Sequence, residues 1–161
     1  MLGGVHIPSK LGLLGHSDAD VLIHALTDAL LGSLALPDIG TLFSDTDAKW
    51  KDAPSELMLR DAYRRVRAKG FKLLNADCVL VCDRPKLLPH SLAIRKSIAG
   101  ILDVPLDRIG LKAKTTEGTL LALKRKSIAA FAIVLVAQKP GTRSRLRSPT
   151  PVPRPPTPAR P

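Results

Sequence analysis

Two histidines and three aspartates, His16, Asp18, Asp20, His24 and Asp28, fall within residues 16–32, a stretch that otherwise reads as a buried helix. Asp20, His24 and Asp28 recur at i, i+4 spacing and project from roughly one helix face. Polar groups on an apolar helix need partners: a metal, a substrate or each other. His24 alone would read as an ordinary core histidine, but with Asp18, Asp20 and His16 nearby a metal or substrate role stays open. Three further clusters carry possible chemistry. Asp38, Ile39 and Gly40 lead into Asp45, Thr46 and Asp47. Residues 82–90 form a proline-bounded loop directly after an apolar run. Thr115, Thr116 and Glu117 follow Lys112 and Lys114. A hydroxyl pair followed by a carboxylate suits phosphate oxygens and a divalent ion, or is simply polar punctuation at a strand end.

The elements that must position these residues are legible in the pattern. Asp18 is an N-cap candidate for a helix running to about Ala35, with Val21, Leu22, Ala25, Leu26, Ala29 and Leu30 as its apolar face. Residues 1–7 read as a short strand with Gly3 and Gly4 as a turn or bulge, and residues 36–53 as irregular and acidic. A second helix runs from Ser55 to a C-terminal Gly70, with Arg60, Arg64, Arg65 and Arg67 on its solvated face. Strands are expected over 72–82, 109–115 and 127–138, with a helix after Pro89 ending near Leu102. The last strand, rich in β-branched residues, is expected to be buried on both faces. This order predicts a single α+β or α/β domain. Cys78 and Cys82 read as buried, reduced thiols.

The net charge of +11 is concentrated at one end. Lys139, Arg143, Arg145, Arg147, Arg154 and Arg160 lie in the last 23 residues, which contain no acids. Eight of the 14 prolines lie from Pro140 onward, so residues 139–161 are expected to be a disordered Arg/Pro-rich tail. The modest excess left in the body suits an anionic small molecule. One Trp, one Tyr and three Phe are too few for the base-stacking platforms that accompany nucleic-acid binding. No apolar run approaches the roughly 20 residues of a membrane span, and the start lacks a signal peptide's features. Neither nucleic acid nor membrane is expected as a partner, and a cytoplasmic protein is the default expectation, plastid if from a plant or alga.

Residues 16–32 (His-Ser-Asp-Ala-Asp-Val-Leu-Ile-His-Ala-Leu-Thr-Asp-Ala-Leu-Leu-Gly), 38–47 (Asp-Ile-Gly-Thr-Leu-Phe-Ser-Asp-Thr-Asp), 84–90 (Arg-Pro-Lys-Leu-Leu-Pro-His) and 112–118 (Lys-Ala-Lys-Thr-Thr-Glu-Gly) together resemble the 2-C-methyl-D-erythritol 2,4-cyclodiphosphate synthase family, in its order and spacing. The resemblance covers residues 1–138. It implies a compact α+β domain, with a mixed or antiparallel sheet packed on one side by helices, assembled as a homotrimer with sites between subunits. The implied substrate is a cytidine diphosphate-linked small molecule, 4-diphosphocytidyl-2-C-methyl-D-erythritol 2-phosphate, cyclised with loss of CMP. Carried over by position, His24 is a Zn²⁺ ligand and Glu117 binds Mg²⁺ or Mn²⁺. His16 and Thr115 are catalytic. His16 and Ser17 touch phosphate, with Asp18 and Asp20 falling back to capping and support. Asp38, Ile39 and Gly40 hold the methylerythritol, with Phe43, Ser44, Asp45, Thr46 and Asp47 lining the same region. Cys82, Asp83, Arg84, Pro85, Lys86, Leu87 and Leu88 hold the cytosine, largely through backbone groups, with Lys86 near the phosphates. Lys114, Thr115, Thr116 and Glu117 border the diphosphate.

The sequence also departs from the family. A catalytic zinc takes about three protein ligands, and the family's others come from an Asp-x-His strand about twenty residues ahead of this chain's start. Residues 119–127 lack the family's glycines, and Leu121 and Lys124 stand at its aromatic and arginine substrate contacts. Lys114 and Ser44 stand where threonine and proline are frequent. Two other readings follow: a non-catalytic trimeric relative that binds cytidine nucleotide without a complete zinc site, and an interaction protein working through its tail. The family also occurs as the C-terminal half of bifunctional enzymes.

Overall fold

The computed structural model describes residues 1–9, 18–44, 50, 53–117 and 127–140. The expectations for His16, Ser17, Asp45, Thr46, Asp47, Leu121, Lys124 and the tail beyond Pro140 lie outside these residues. The elements are α1 (Val21–Gly32), α2 (Ile39–Leu42), α3 (Ser55–Ala68), β1 (Phe71–Val81), α4 (Ser91–Leu102), β2 (Ile109–Lys114) and β3 (Ala129–Gln138). Short 3₁₀ turns precede α4 and β2.

β1 is the central strand of a three-stranded mixed sheet. It pairs in parallel with β2, Cys78 opposite Leu111, and antiparallel with β3, Cys78 opposite Ala132. Helices cover one face. Leu22, Ile23, Leu26 and Leu30 of α1, Leu59, Ala62 and Val66 of α3, and Ile94, Ile98 and Leu102 of α4 have no or almost no exposure. They meet Ala76, Cys78 and Leu80, which alternate on the inner face of β1. Burial pushes the Cys78 thiol up to about 12 and raises that of Cys82, so both are neutral core-filling groups. No helix among the described residues is long and apolar enough to cross a membrane.

Four expectations about the elements are corrected. α1 starts at Val21, not after Asp18: Asp20 is the N-cap and accepts the Ile23 N–H at 3.1 Å, whereas Ala19 has φ +53° and breaks the helix before it. α1 also stops at Gly32, where Ala35 takes φ +51° and the Leu36 N–H reaches back to Leu31 O at 3.0 Å. Residues 36–53 are not wholly irregular, because Asp38 caps the four-residue α2 by accepting the Thr41 N–H at 2.8 Å. β3 is buried on one face only: Phe131, Ile133 and Leu135 are 62%, 76% and 57% exposed on the other. Its small inward residues, Ala130 and Ala132, pack under the helices, and an apolar composition by itself does not say which face is covered.

One buried carboxylate ties the chain start to α1. Gly3 and Gly4 take φ +58° and +74° in a tight turn closed by the Leu2–Val5 bridge. A Cβ on Gly3 would lie 2.6 Å from Ile94, and one on Gly4 2.7 Å from Ser97. The close approach lets both amides donate to Asp20, at 2.8 and 2.7 Å, so the inaccessible carboxylate accepts three N–H groups. Asp20→Ala should therefore lower unfolding free energy by about 2–4 kcal/mol in urea titration, the combined cost of a lost cap and stranded donors. A loss within about 0.5 kcal/mol, as for an ordinary surface change, would contradict this account.

Candidate active site

The polar residues of α1 do not form one cluster. Asp20 faces inward to the Gly3–Gly4 turn, and Asp28 accepts the Ile39 N–H at 2.8 Å, capping α2 from outside. His24 is half-buried, with Nε2 2.9 Å from Ser55 Oγ. The expected Asp20–His24–Asp28 face thus resolves into three separate partnerships, because helix N-termini lie within reach of each carboxylate. Asp18 joins the group from the segment before α1. Its carboxylate accepts the Ser55 hydroxyl at 2.5 Å and the Ser55 amide at 3.3 Å.

Asp38 sits at the surface, and its hydrogen bonds with Thr41 hold its carboxyl below the usual value. Gly40 follows within α2. The Phe43 ring is buried, edge-on to Trp50 with centroids 4.7 Å apart and Arg65 over its face at 5.9 Å. Its side chain is therefore core, and the segment it anchors carries Ser44 out of the helix.

A second group forms where β1 ends. The Cys82 N–H donates to Lys114 O at 2.9 Å, extending the parallel ladder by one bond. Asp83 then accepts the Thr116 amide at 2.8 Å and its hydroxyl at 2.7 Å. This latch joins the loop after β1 to the turn after β2 and fixes the Lys114–Glu117 segment, in which Glu117 takes φ +51°. Asp83 and Thr116 therefore bond to each other. The Cys82 thiol donates to Arg84 O at 2.7 Å. Leu87 is buried and Leu88 exposed, so the loop offers mainly backbone and the Arg84 and Lys86 side chains to a ligand.

His24 and Glu117 are single donors. No group of three or more His, Cys, Asp or Glu able to hold a metal ion occurs among the described residues, so these residues do not complete a zinc site. Sequence reasoning treated Ser55 only as a helix start; its place beside Asp18 and His24 had no local signal, being set by the packing of α1 on α3.

The Asp83–Thr116 latch is testable by a double-mutant cycle of Asp83→Ala and Thr116→Val in urea. A coupling of about 1.5–3 kcal/mol is expected for hydrogen bonds to a charged group. Additive effects would show that the latch does not hold the two loops together.

The sequence matches the YgbB family over residues 1–137. Curated 2-C-methyl-D-erythritol 2,4-cyclodiphosphate synthases of Carboxydothermus hydrogenoformans and Gloeobacter violaceus are 49% and 51% identical to it over 138 residues, 86% of this chain and 85% of each relative. A solved 2C-methyl-D-erythritol-2,4-cyclodiphosphate synthase in its CDP-bound form superposes with a TM-score of 0.80 at 50% identity, covering 85% of this chain and 89% of that one.

Proposed function

This chain belongs to the YgbB family and catalyses formation of 2-C-methyl-D-erythritol 2,4-cyclodiphosphate in isoprenoid biosynthesis, and we propose the following division of labour among its residues. The substrate is 4-diphosphocytidyl-2-C-methyl-D-erythritol 2-phosphate. An oxygen of its 2-phosphate attacks the β-phosphorus, the bond from that phosphorus to the bridging oxygen breaks, and CMP leaves with the bridging oxygen. No protein nucleophile takes part. The chain's task is to bring two anionic groups together and hold them in line.

The Asp83–Thr116 latch is the observation that carries this reading. It holds the loop of Cys82, Asp83, Arg84, Pro85, Lys86, Leu87 and Leu88 beside Lys114, Thr115, Thr116 and Glu117. Backbone groups of the first segment receive the cytosine. Lys86, Lys114 and the Thr115 hydroxyl face the diphosphate. Asp38, Ile39 and Gly40, with Ser44, Asp45, Thr46 and Asp47, receive the methylerythritol, the buried Phe43 ring serving only to anchor Ser44, and His16 and Ser17 receive the 2-phosphate, with Leu121 and Lys124 bordering the site. His16 and Thr115 stabilise the charge that develops as the ring closes. His24 and Glu117 are the candidate ligands for Zn²⁺ and for Mg²⁺ or Mn²⁺; the described residues alone do not complete these sites, and no step is assigned to an ion. The bacterial relatives support a cytoplasmic location. Residues 1–138 are the catalytic domain and 139–161 an Arg/Pro-rich extension in this reading.

The two groups of site residues belong to a homotrimer. The outer face of the sheet supports this. Phe131 and Ile133 of β3 lie opposite Val79 and Asp77 of β1, and with Leu135 they make an exposed apolar strip beside the Asp77–Lys112 ion pair. Contiguous apolar surface of this kind marks an interface. Ile133→Glu should convert a species with the mass of three chains into one with the mass of a single chain in light scattering. A variant that keeps the wild-type mass would place the interface elsewhere.

The reaction is tested with the full chain and the diphosphocytidyl substrate, followed by ³¹P NMR. Appearance of the cyclic diphosphate and CMP in equal amounts is the expected result. Nucleotide binding without any turnover would overturn it in favour of a non-catalytic, cytidine-binding relative.

A further inference from the structure

A cleft at the far end of the sheet takes no part in the function above. It lies where α3 and α4 end and encloses about 550 Å³. Arg60, Arg64 and Arg67 of α3, Asp103 after α4 and Lys139 after β3 line it. The Lys139 amide donates to Gly70 O at 2.8 Å, one residue before β1 begins. The Cys82–Leu88 loop follows the opposite end of β1, whose 11 residues set the two places roughly 30 Å apart.

Arginines in the last turns of a helix ordinarily offset its dipole and its unpaired carbonyls. Here backbone amides meet most of that need. The Lys69 N–H donates to Arg65 O and Arg67 O, and the Asp103 N–H to Ala99 O and Gly100 O. Arg60 Nη1 donates to Ile101 O at 3.1 Å and keeps its other N–H groups. Arg64 gives Nε and Nη2 to Asp61 and keeps Nη1. Arg67 lies over the Tyr63 ring at 5.9 Å. Neither Arg67 nor Lys139 makes a side-chain hydrogen bond or ion pair among the described residues.

The cleft thus offers donors and positive charge in excess. Four cationic side chains line it against one carboxylate, Asp103. The arginines recur at i, i+4 and i+7, so they share one helix face with neighbouring Cβ atoms about 5–6 Å apart. A guanidinium stacked on a ring keeps its donors at its edge, in the plane from which phosphate oxygens approach. Tyr63, Ile101 and Leu102 give the cleft a buried apolar floor. The sequence adds Arg143, Arg145 and Arg147 within eight residues of Lys139, with no acid among them. We propose that this cleft binds an oligophosphate chain, either inorganic or carried by a nucleotide. A row of guanidinium groups matches a row of phosphoryl groups, whereas a singly charged anion would leave most of the cations unmatched. The volume falls in the range of small-ligand sites. The proposal does not depend on the cyclisation reaction.

The test is a titration of the ¹⁵N-labelled full chain with sodium tripolyphosphate and, separately, with ATP, at low salt without divalent ions, followed by amide NMR. Saturable shifts at Ala68, Asp103, Val104 and Lys139 are expected. Tripolyphosphate binding at least as tightly as ATP assigns the inorganic chain, and tighter binding of ATP assigns the nucleotide. Arg67→Gln combined with Lys139→Gln should weaken binding at the cleft by about tenfold or more, the loss of hydrogen bonds to a charged group. Lys86→Gln, which removes a charge at the other end of β1, should leave it unchanged. Equal weakening by both would show only a general attraction of anions to a basic chain and would overturn the proposal. So would the absence of saturable shifts, or shifts confined to Lys86, Lys114 and Thr116 or to residues 141–161. Failure of cyclisation with binding at the cleft intact would overturn the function and leave this proposal standing.

Discussion

The buried carboxylate of Asp20 is the constraint from which the rest of the architecture follows. A carboxylate without solvent access is stable only if hydrogen bonds replace its hydration. Here the Gly3, Gly4 and Ile23 amides do so. Two of those donors exist only because left-handed glycines bring backbone against α4. The result fixes where α1 begins. It also fixes the direction of every side chain counted from that start, His24 and Asp28 among them.

The same device recurs along the acidic segment. Asp28 accepts from the first residue of α2, Asp38 caps that helix from within, and Asp18 receives the first residue of α3. Carboxylates at helix N-termini are favoured by both the unpaired amides and the helix dipole. Four aspartates that look like a catalytic cluster are therefore largely the joints between helices. Of the polar groups between them, His24 is half-buried against Ser55 and α2 lies at the surface. At the other group, a single aspartate, Asp83, joins two loops through both polar groups of Thr116. Rigid strand ends with cross-linked loops are the arrangement that can hold a diphosphate in one geometry.

Much of this was legible in the residue pattern. The helical periodicity of α1 and α3, the Gly70 stop with φ +84°, and the three strands were all recoverable. α2 was not, because four residues carry no period and its evidence is a cap made partly by Asp28, eleven positions earlier. The start of α1 was ambiguous because Asp18 and Asp20 both satisfy the rule for a cap, and the Gly3 and Gly4 amides, distant in sequence, select Asp20. The open face of β3 was hidden because an apolar run reads as buried whichever surface buries it. Ser55 was invisible as a partner of His24, since nothing in the spacing of residues 24 and 55 brings them together. The family resemblance supplied the candidate site residues, and the structure shows that one of them, Phe43, is core.

Amide hydrogen exchange at Gly3, Gly4 and Ile23 tests the central constraint most directly. If the Asp20 carboxylate organises the start of the domain, these three amides open only with the core and are as protected as Cys78 and Leu80 in β1. Gly3 and Gly4 exchanging at the rate of an unstructured chain, while β1 stays protected, would contradict the account.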